Sequence, residues 1–254
     1  MRTVIAIIAV LLAGAATADD VTVLVTGANR GLGLEFARQY AARGWRVIAT
    51  AREPEQAAAL KALADANPKV TIERLDVTDF AQVDALAAKY RGQPIDILVN
   101  NAGVTGDPLT TQVLGKIDYA VFDQVMHVNA LAPLKLTEAF LPNIESGGQK
   151  KVITVSSSMG SIGKSFGTAY FYRSSKSATN MIMYSLSKDL KKKGITIGLV
   201  NPGATDTDMM AVFHGKVKLR DPAVAAADMI RNIDGLTLAE TGAFLEYDGK
   251  TIPW

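Results

Sequence analysis

The 254-residue chain contains no cysteine and only two histidines, His127 and His214. The first absence removes disulfide frameworks, thiol nucleophiles and cysteine-ligated metals. The second makes a zinc cluster improbable, and both histidines read as structural or surface residues. Neither sign of charge is in excess: 27 Lys and Arg stand against 25 Asp and Glu, a net charge of +2. No strong field therefore invites nucleic acid or an acidic surface, and a small molecule is the expected partner. No Pro-, Gly- or Ser-rich linker and no internal repeat interrupts the chain, and its 48% hydrophobic residues are ample for one core.

Only one stretch is apolar almost throughout, and it lies at the amino terminus. Residues 3–16, TVIAIIAVLLAGAA, follow Arg2 and lead into Ala16, Thr17 and Ala18, the three-part layout of a secretory signal peptide. The run is shorter than the roughly 20 residues that cross a bilayer, so no permanent membrane span is expected after cleavage. The expected organisation is a leader over residues 1–18 and one folded domain over 19–254. Export to a periplasmic or extracellular space follows, with a cytoplasmic chain as the alternative if the leader is not used.

Past residue 20, β-rich apolar runs alternate with longer helical patterns. The expected strands are Val21–Thr26, Arg46–Thr50, Val70–Leu75, Ile95–Val99, Lys151–Ser156, Thr196–Val200 and Ala243–Tyr247. The expected helices are Leu32–Arg43, Glu55–Ala66, Phe80–Tyr90, Tyr119–Leu141, Tyr170–Lys193 and Pro222–Ile233. Strands apolar on both faces and separated by helices imply a parallel sheet covered on both sides. The fold class is α/β: a single Rossmann-type doubly wound domain with a seven-stranded, mainly parallel sheet. Such sheets bind ligands beyond the carboxyl ends of their strands, which directs attention to the segments after each strand.

The first strand runs into TGANRGLG, where Gly27, Gly31 and Gly33 open a helix, with Asn29, Arg30 and Leu32 between them. Glycines allow a sharp turn and close approach to a pyrophosphate, and the helix amino terminus offers N–H groups to the anion. The spacing departs from G-x-G-x-x-G, so the dinucleotide reading competes with a glycine turn that holds nothing. The second strand ends with Thr50, Ala51 and Arg52 where an NAD site usually carries an acid. Arg52 and Arg30 suit a 2′-phosphate, which favours NADP(H) over NAD(H); solvated arginines, or Glu53 facing the ribose, are the alternatives. Further along, YRSSK places Tyr172 and Lys176 at i and i+4 on one helical face, a phenol beside an ammonium that stabilises its anion. Tyr170 is a competing phenol that lies off that face.

These motifs, taken in order, resemble the short-chain dehydrogenase/reductase family over residues 20–254. LDVTD (75–79) is similar to the adenine-holding segment, with Asp76 and Val77 as contacts. NNAG (100–103) is similar to the signature after the fourth strand, with Asn101, Ala102 and Gly103 passing close to the cofactor. Asn129, the SSSMG run at 156–160, YRSSK and NPGATDT at 201–207 complete the series. TGANRGLG, YRSSK and the closing YDGKTIPW look most like the sniffer and C-factor carbonyl reductases.

The resemblance implies NADP(H)-dependent reduction of an aldehyde or ketone to an alcohol by hydride transfer. Tyr172 would be the acid/base, Lys176 would hold the ribose, Ser157 would orient the substrate oxygen, and Asn129 would anchor a proton path to the lysine. Ser156 and Ser158 compete with Ser157. Pro202, Gly203 and Thr207 would sit at the nicotinamide end of the cofactor. Val104, Met159, Phe166, Phe171, Met209, Met210 and Phe213 are candidates for an apolar substrate pocket. A homodimer or homotetramer is expected, as relatives commonly pair through long helices. A second account keeps the fold and the dinucleotide but makes the chain a signalling or scaffold protein with little turnover.

Overall fold

The computed structural model describes residues 21–254; the leader expected over residues 1–18 lies outside them. Seven strands, β1 (Thr22–Val25), β2 (Arg46–Ala51), β3 (Val70–Arg74), β4 (Ile97–Asn100), β5 (Lys151–Val155), β6 (Thr196–Val200) and β7 (Ala243–Leu245), form one sheet in the order β3-β2-β1-β4-β5-β6-β7. Every pairing between these strands is parallel, as expected, and a lone antiparallel bridge joins Leu245 of β7 to Thr251.

Successive residues of a strand face opposite sides, and here both sides are buried. Val23 and Val25 of β1 enter a layer with Phe36 and Tyr40 of α1 (Gly31–Ala42) and with Met229, Ile230 and Ile233 of α8 (Pro222–Gly235). Leu24 enters the opposite layer, with Leu136 of α5 (Ala132–Ala139) and Met183 of α7 (Tyr170–Leu190). That double burial is why the central strands read as largely apolar runs, while the edge strand β3 alternates. The remaining helices are α2 (Ala58–Ala66), α3 (Phe80–Lys89), α4 (Ala120–Met126) and α6 (Leu141–Ser146). Among the described residues no helix is long and apolar enough to cross a membrane.

One expected element is corrected. The helix anticipated over 119–141 is not continuous: α4 gives way to a π-turn over His127–Leu131, and α5 follows with Pro133 in its first turn. Proline has no N–H, so it cannot close the bond that residue i+4 normally gives to the Asn129 carbonyl. That carbonyl instead accepts Thr179 Oγ1 of α7 at 2.6 Å. Smaller differences are local: a 3-10 turn at Pro54–Gln56 delays α2, and Lys191–Lys193 close α7 as 3-10 before Gly194 at φ 73°.

Strand order reverses between β1 and β4, the neighbours whose following loops separate to opposite sides. The crevice expected at such a switch point is present as a cavity of about 1230 Å³ along the carboxyl edge of the sheet.

Candidate active site

The first wall of the cavity is the turn after β1. Gly27 takes φ 64° and Gly31 φ 54°, conformations that favour glycine. Gly33 serves packing instead: a Cβ there would lie 2.1 Å from the Gly27 carbonyl oxygen and 2.6 Å from Asn101 Nδ2. Asn101 in turn donates to the carbonyls of Thr26 (2.9 Å) and Gly27 (3.2 Å), bracing the turn from β4. The N-cap residue of α1, Arg30, makes no side-chain cap bond, so the helix presents its first N–H groups to the cavity. A Gly33→Ala substitution is therefore expected to push the turn off the sheet, lowering stability by about 1–3 kcal/mol and weakening dinucleotide binding. Thermal unfolding and cofactor titration check both effects.

Asn29, Arg30, Leu32, Arg52, Asp76, Val77, Ala102, Gly103, Pro202 and Thr207 also line the cavity, together with Gly27, Gly31, Gly33 and Asn101. Asp76 spends one carboxylate oxygen on the N–H and hydroxyl of Thr78. Arg52 is exposed and its guanidinium has no partner among the described residues, whereas Arg30 pairs with Asp208 at 2.8 Å. Glu53 lines the same rim.

Gly203 is the exception among the expected cofactor residues. It lies outside the cavity lining, and its φ of 72° serves a turn packed beneath Arg220 and Tyr247, each 3.0 Å from a Cβ built there. Its neighbour Pro202 has the cavity contact, and its carbonyl accepts Arg220 Nη1 at 2.7 Å.

Tyr172 and Lys176, one turn apart on α7, both line the cavity. Lys176 is buried and donates to the Val155 carbonyl at 2.9 Å, with its Nζ 5.8 Å from the centre of the Tyr172 ring. Burial pushes its pKa down to about 8. Burial also raises the Tyr172 phenol, and the polar side chain of Ser157 pulls the other way. This differs from the sequence expectation, in which the lysine lowers the phenol: desolvation dominates, and it acts against the charged form of both groups.

The three adjacent serines are sorted by their partners. Ser156 donates its hydroxyl to Asn180 Oδ1 at 2.5 Å, and Ser158 begins a 3-10 turn. Ser157 accepts the Met159 N–H at 3.1 Å and is the serine whose side chain lowers the Tyr172 phenol. Tyr170, on another face of α7, borders a second, smaller cavity with Met159 and Arg173 instead.

Asn129 is fully engaged. Its Oδ1 accepts Val104 N–H at 2.9 Å, and its Nδ2 donates to the Val104 carbonyl (2.8 Å) and Ser175 Oγ (2.9 Å). Its side chain is thus spent on holding loop and helix together, and its backbone carbonyl accepts Thr179 Oγ1.

Of the apolar candidates, Val104 and Met209 line the main cavity and Met159 the smaller one. Phe171 turns away, edge-on to Phe122 with centroids 5.3 Å apart, and Phe166 stacks over the Arg173 guanidinium at 4.1 Å. Neither His127, whose ring lies tilted against Phe80, nor His214, paired with Asp206, belongs to a metal-binding cluster among the described residues. Sequence reading passed over Gln112, a fully buried amide in the loop after β4 whose Oε1 accepts the Tyr172 N–H. It also passed over Thr78, Gln56 and the first residues of α2, which close the far end of the cavity.

The glycine cradle, the uncapped α1 terminus and the cavity's size fit a dinucleotide. Comparison with known proteins agrees with that geometry. A family model described as short chain dehydrogenase matches residues 21–217. The C-signal of Myxococcus xanthus is 40% identical over 175 residues, 67% of this chain and 99% of the relative. The NADPH-bound carbonyl reductase from chicken fatty liver superposes with a TM-score of 0.83 at 32% identity, over 92% of this chain and 98% of that one. The carbonyl reductase Sniffer of D. melanogaster gives 0.83 at 29% identity, over 92% and 99%.

Proposed function

The chain belongs to the short-chain dehydrogenase/reductase family, and from that premise we propose that it is an oxidoreductase reducing an aldehyde or ketone to an alcohol with NADP(H). The observation that carries this reading is the meeting of Tyr172 and Lys176 on one wall of the cavity whose other wall is the glycine cradle, with Ser157 beside the Tyr172 phenol just behind the lining. When bound, the reduced nicotinamide supplies hydride to the carbonyl carbon. Tyr172 gives its proton to the oxygen, and the Ser157 hydroxyl holds that oxygen in line. Lys176 places a cation behind the phenol and within reach of the ribose.

Leu114, Tyr119, Ile162 and Phe166 stand exposed on the loops after β4 and β5. They support a substrate of modest polarity entering between these loops. Assay of the chain with NADPH against a panel of aldehydes and ketones tests the reading; binding of NADPH without turnover on any of them overturns it.

The choice of NADP(H) is supported by the absence of an acid at the end of β2, by the unpaired Arg52, and by Arg30 in the glycine turn. A guanidinium gives a 2′-phosphate charge-assisted hydrogen bonds worth about 1.5–3 kcal/mol, and Arg52, unlike Arg30, has no carboxylate competing for it among the described residues. Arg52→Ala is expected to weaken NADPH binding by about 10–100-fold and NADH binding far less. Fluorescence titration with both cofactors decides it: tighter NADH than NADPH binding in the wild type overturns the assignment.

The similarity to a protein named C-signal favours one second reading, a signalling protein in which the dinucleotide site persists with little turnover. A Tyr172→Phe variant that keeps the cellular effect of the wild type supports it. Export remains part of the proposal on the strength of residues 2–18, and amino-terminal sequencing of the native protein is expected to begin at Asp19.

A further inference from the structure

An α-helix leaves its first N–H groups without partners inside the helix. In α7 the preceding residue, Ala169, sits in the left-handed region at φ 50° and offers no side-chain cap. The first N–H to bond back is that of Arg173, to the Ala169 carbonyl at 2.9 Å. Tyr172 therefore needs an acceptor from elsewhere, and finds it 60 residues upstream: Gln112 Oε1 lies 2.8 Å from its nitrogen. Gln112 is 0% exposed, and its amide nitrogen donates to the carbonyls of Thr105 (2.6 Å) and Gly106 (2.9 Å).

The segment that Gln112 grips belongs to the cavity wall, since Gly103, Val104, Thr105 and Gly106 all line it. Asn129 holds the same segment at Val104 and reaches Ser175 of α7. Two buried amides thus tie one loop to one helix, at Tyr172 and at Ser175, nearly a turn apart. The Ser175 hydroxyl also donates to the Tyr172 carbonyl at 2.8 Å, so both backbone polar groups of the tyrosine are engaged by these tethers.

We propose that Gln112 is a positioning residue for Tyr172, setting the distance between the phenol and the loop that walls the dinucleotide cavity. The proposal rests on the reading of Tyr172 as proton donor. Without the amide, the Tyr172 N–H and the Thr105 carbonyl lose this partner, the Gly106 carbonyl keeps only the Thr111 hydroxyl, and the start of α7 is free to shift against the loop. Displacements of about 1 Å at a reacting group cost up to about 100-fold in rate.

The experiment compares wild type with Gln112→Met, which keeps the bulk and removes the amide. Turnover is expressed per NADPH-titrated site, and backbone amide exchange at Tyr172 is followed by NMR. The expected result is a fall in kcat of about tenfold or more with NADPH affinity within about twofold, and faster exchange at Tyr172. A side chain that merely fills the loop would lower the unfolding temperature and leave kcat per titrated site unchanged; kcat within about twofold of wild type overturns the proposal. Should Gln112→Met not fold, exchange in the wild type decides. A Tyr172 amide as slow as that of Lys176 supports the contact, and one as fast as that of Phe171 overturns it. Absence of turnover in the wild type sinks the reductase reading and not this contact, on which exchange then decides alone.

Discussion

Replacing Tyr172 by Phe is expected to lower kcat for carbonyl reduction by about 10²–10⁴-fold while NADPH binding stays within about twofold of wild type. Phenylalanine keeps the ring's packing at the start of α7 and deletes only the hydroxyl. No neighbouring group replaces it. Tyr170 borders the smaller cavity, and the Ser157 hydroxyl is far too weak an acid to deliver a proton to an alkoxide at neutral pH. Because burial raises the phenol, Tyr172 stays protonated across the neutral range, the form that reduction consumes. Oxidation of an alcohol needs the opposite form, so that direction is expected to speed up with rising pH where reduction does not. The measurement is single-turnover kinetics at saturating NADPH after titrating the sites. A Phe variant within about tenfold of wild type would mean that another acid does the work.

How much of this was legible beforehand depends on whether a residue's role is local. The strands were visible because the central ones, β1, β4, β5 and β6, are buried on both faces and therefore largely apolar, whereas the edge strand β3 alternates; β6, Thr196–Val200, has the expected bounds. The glycine turn was visible because Gly27 and Gly31 need left-handed backbone, a demand written into residue type. Gly203 shows the limit of that logic. Its positive φ also demands glycine, but it serves packing against Arg220 and Tyr247, and no feature of the sequence separates the two uses. The break at 127–131 was encoded in Asn129 and Pro133, four apart, yet a helical pattern overrides such a signal until the Thr179 hydroxyl is seen to take the freed carbonyl. Gln112 was invisible for a plainer reason: its acceptor and donors serve groups 60 and about seven residues away, and a lone glutamine in a loop has no periodicity to betray it.

Lys176 carries the other large expected effect, and its sign follows from burial. Its folded pKa falls from 10.5 to about 8 because desolvation disfavours the ammonium, and no carboxylate is ion-paired with it among the described residues. The cation is therefore present below about pH 8 and fades above it. Since kcat/KM reports the free enzyme, its profile for NADPH is expected to turn downward near pH 8, whereas Tyr172, with its raised pKa, imposes no fall in that range.

Lys176→Met is expected to lose about 10²–10³-fold in kcat/KM at pH 7 and to lose the downturn. Lys176→Arg, charged at every accessible pH, is expected to keep a fraction of the activity with a flat profile. Stability moves in the same window with the opposite sign for the wild type. Between about pH 8 and 10.5 the unfolded chain binds the proton that the folded chain has released, so this lysine makes stability rise with pH. Urea unfolding at the two ends of the window, compared with Lys176→Met, separates that slope from the rest of the protein's titration. A wild-type slope identical to that of the Met variant would show that Lys176 keeps its ordinary pKa, and the alkaline limb would then need another owner.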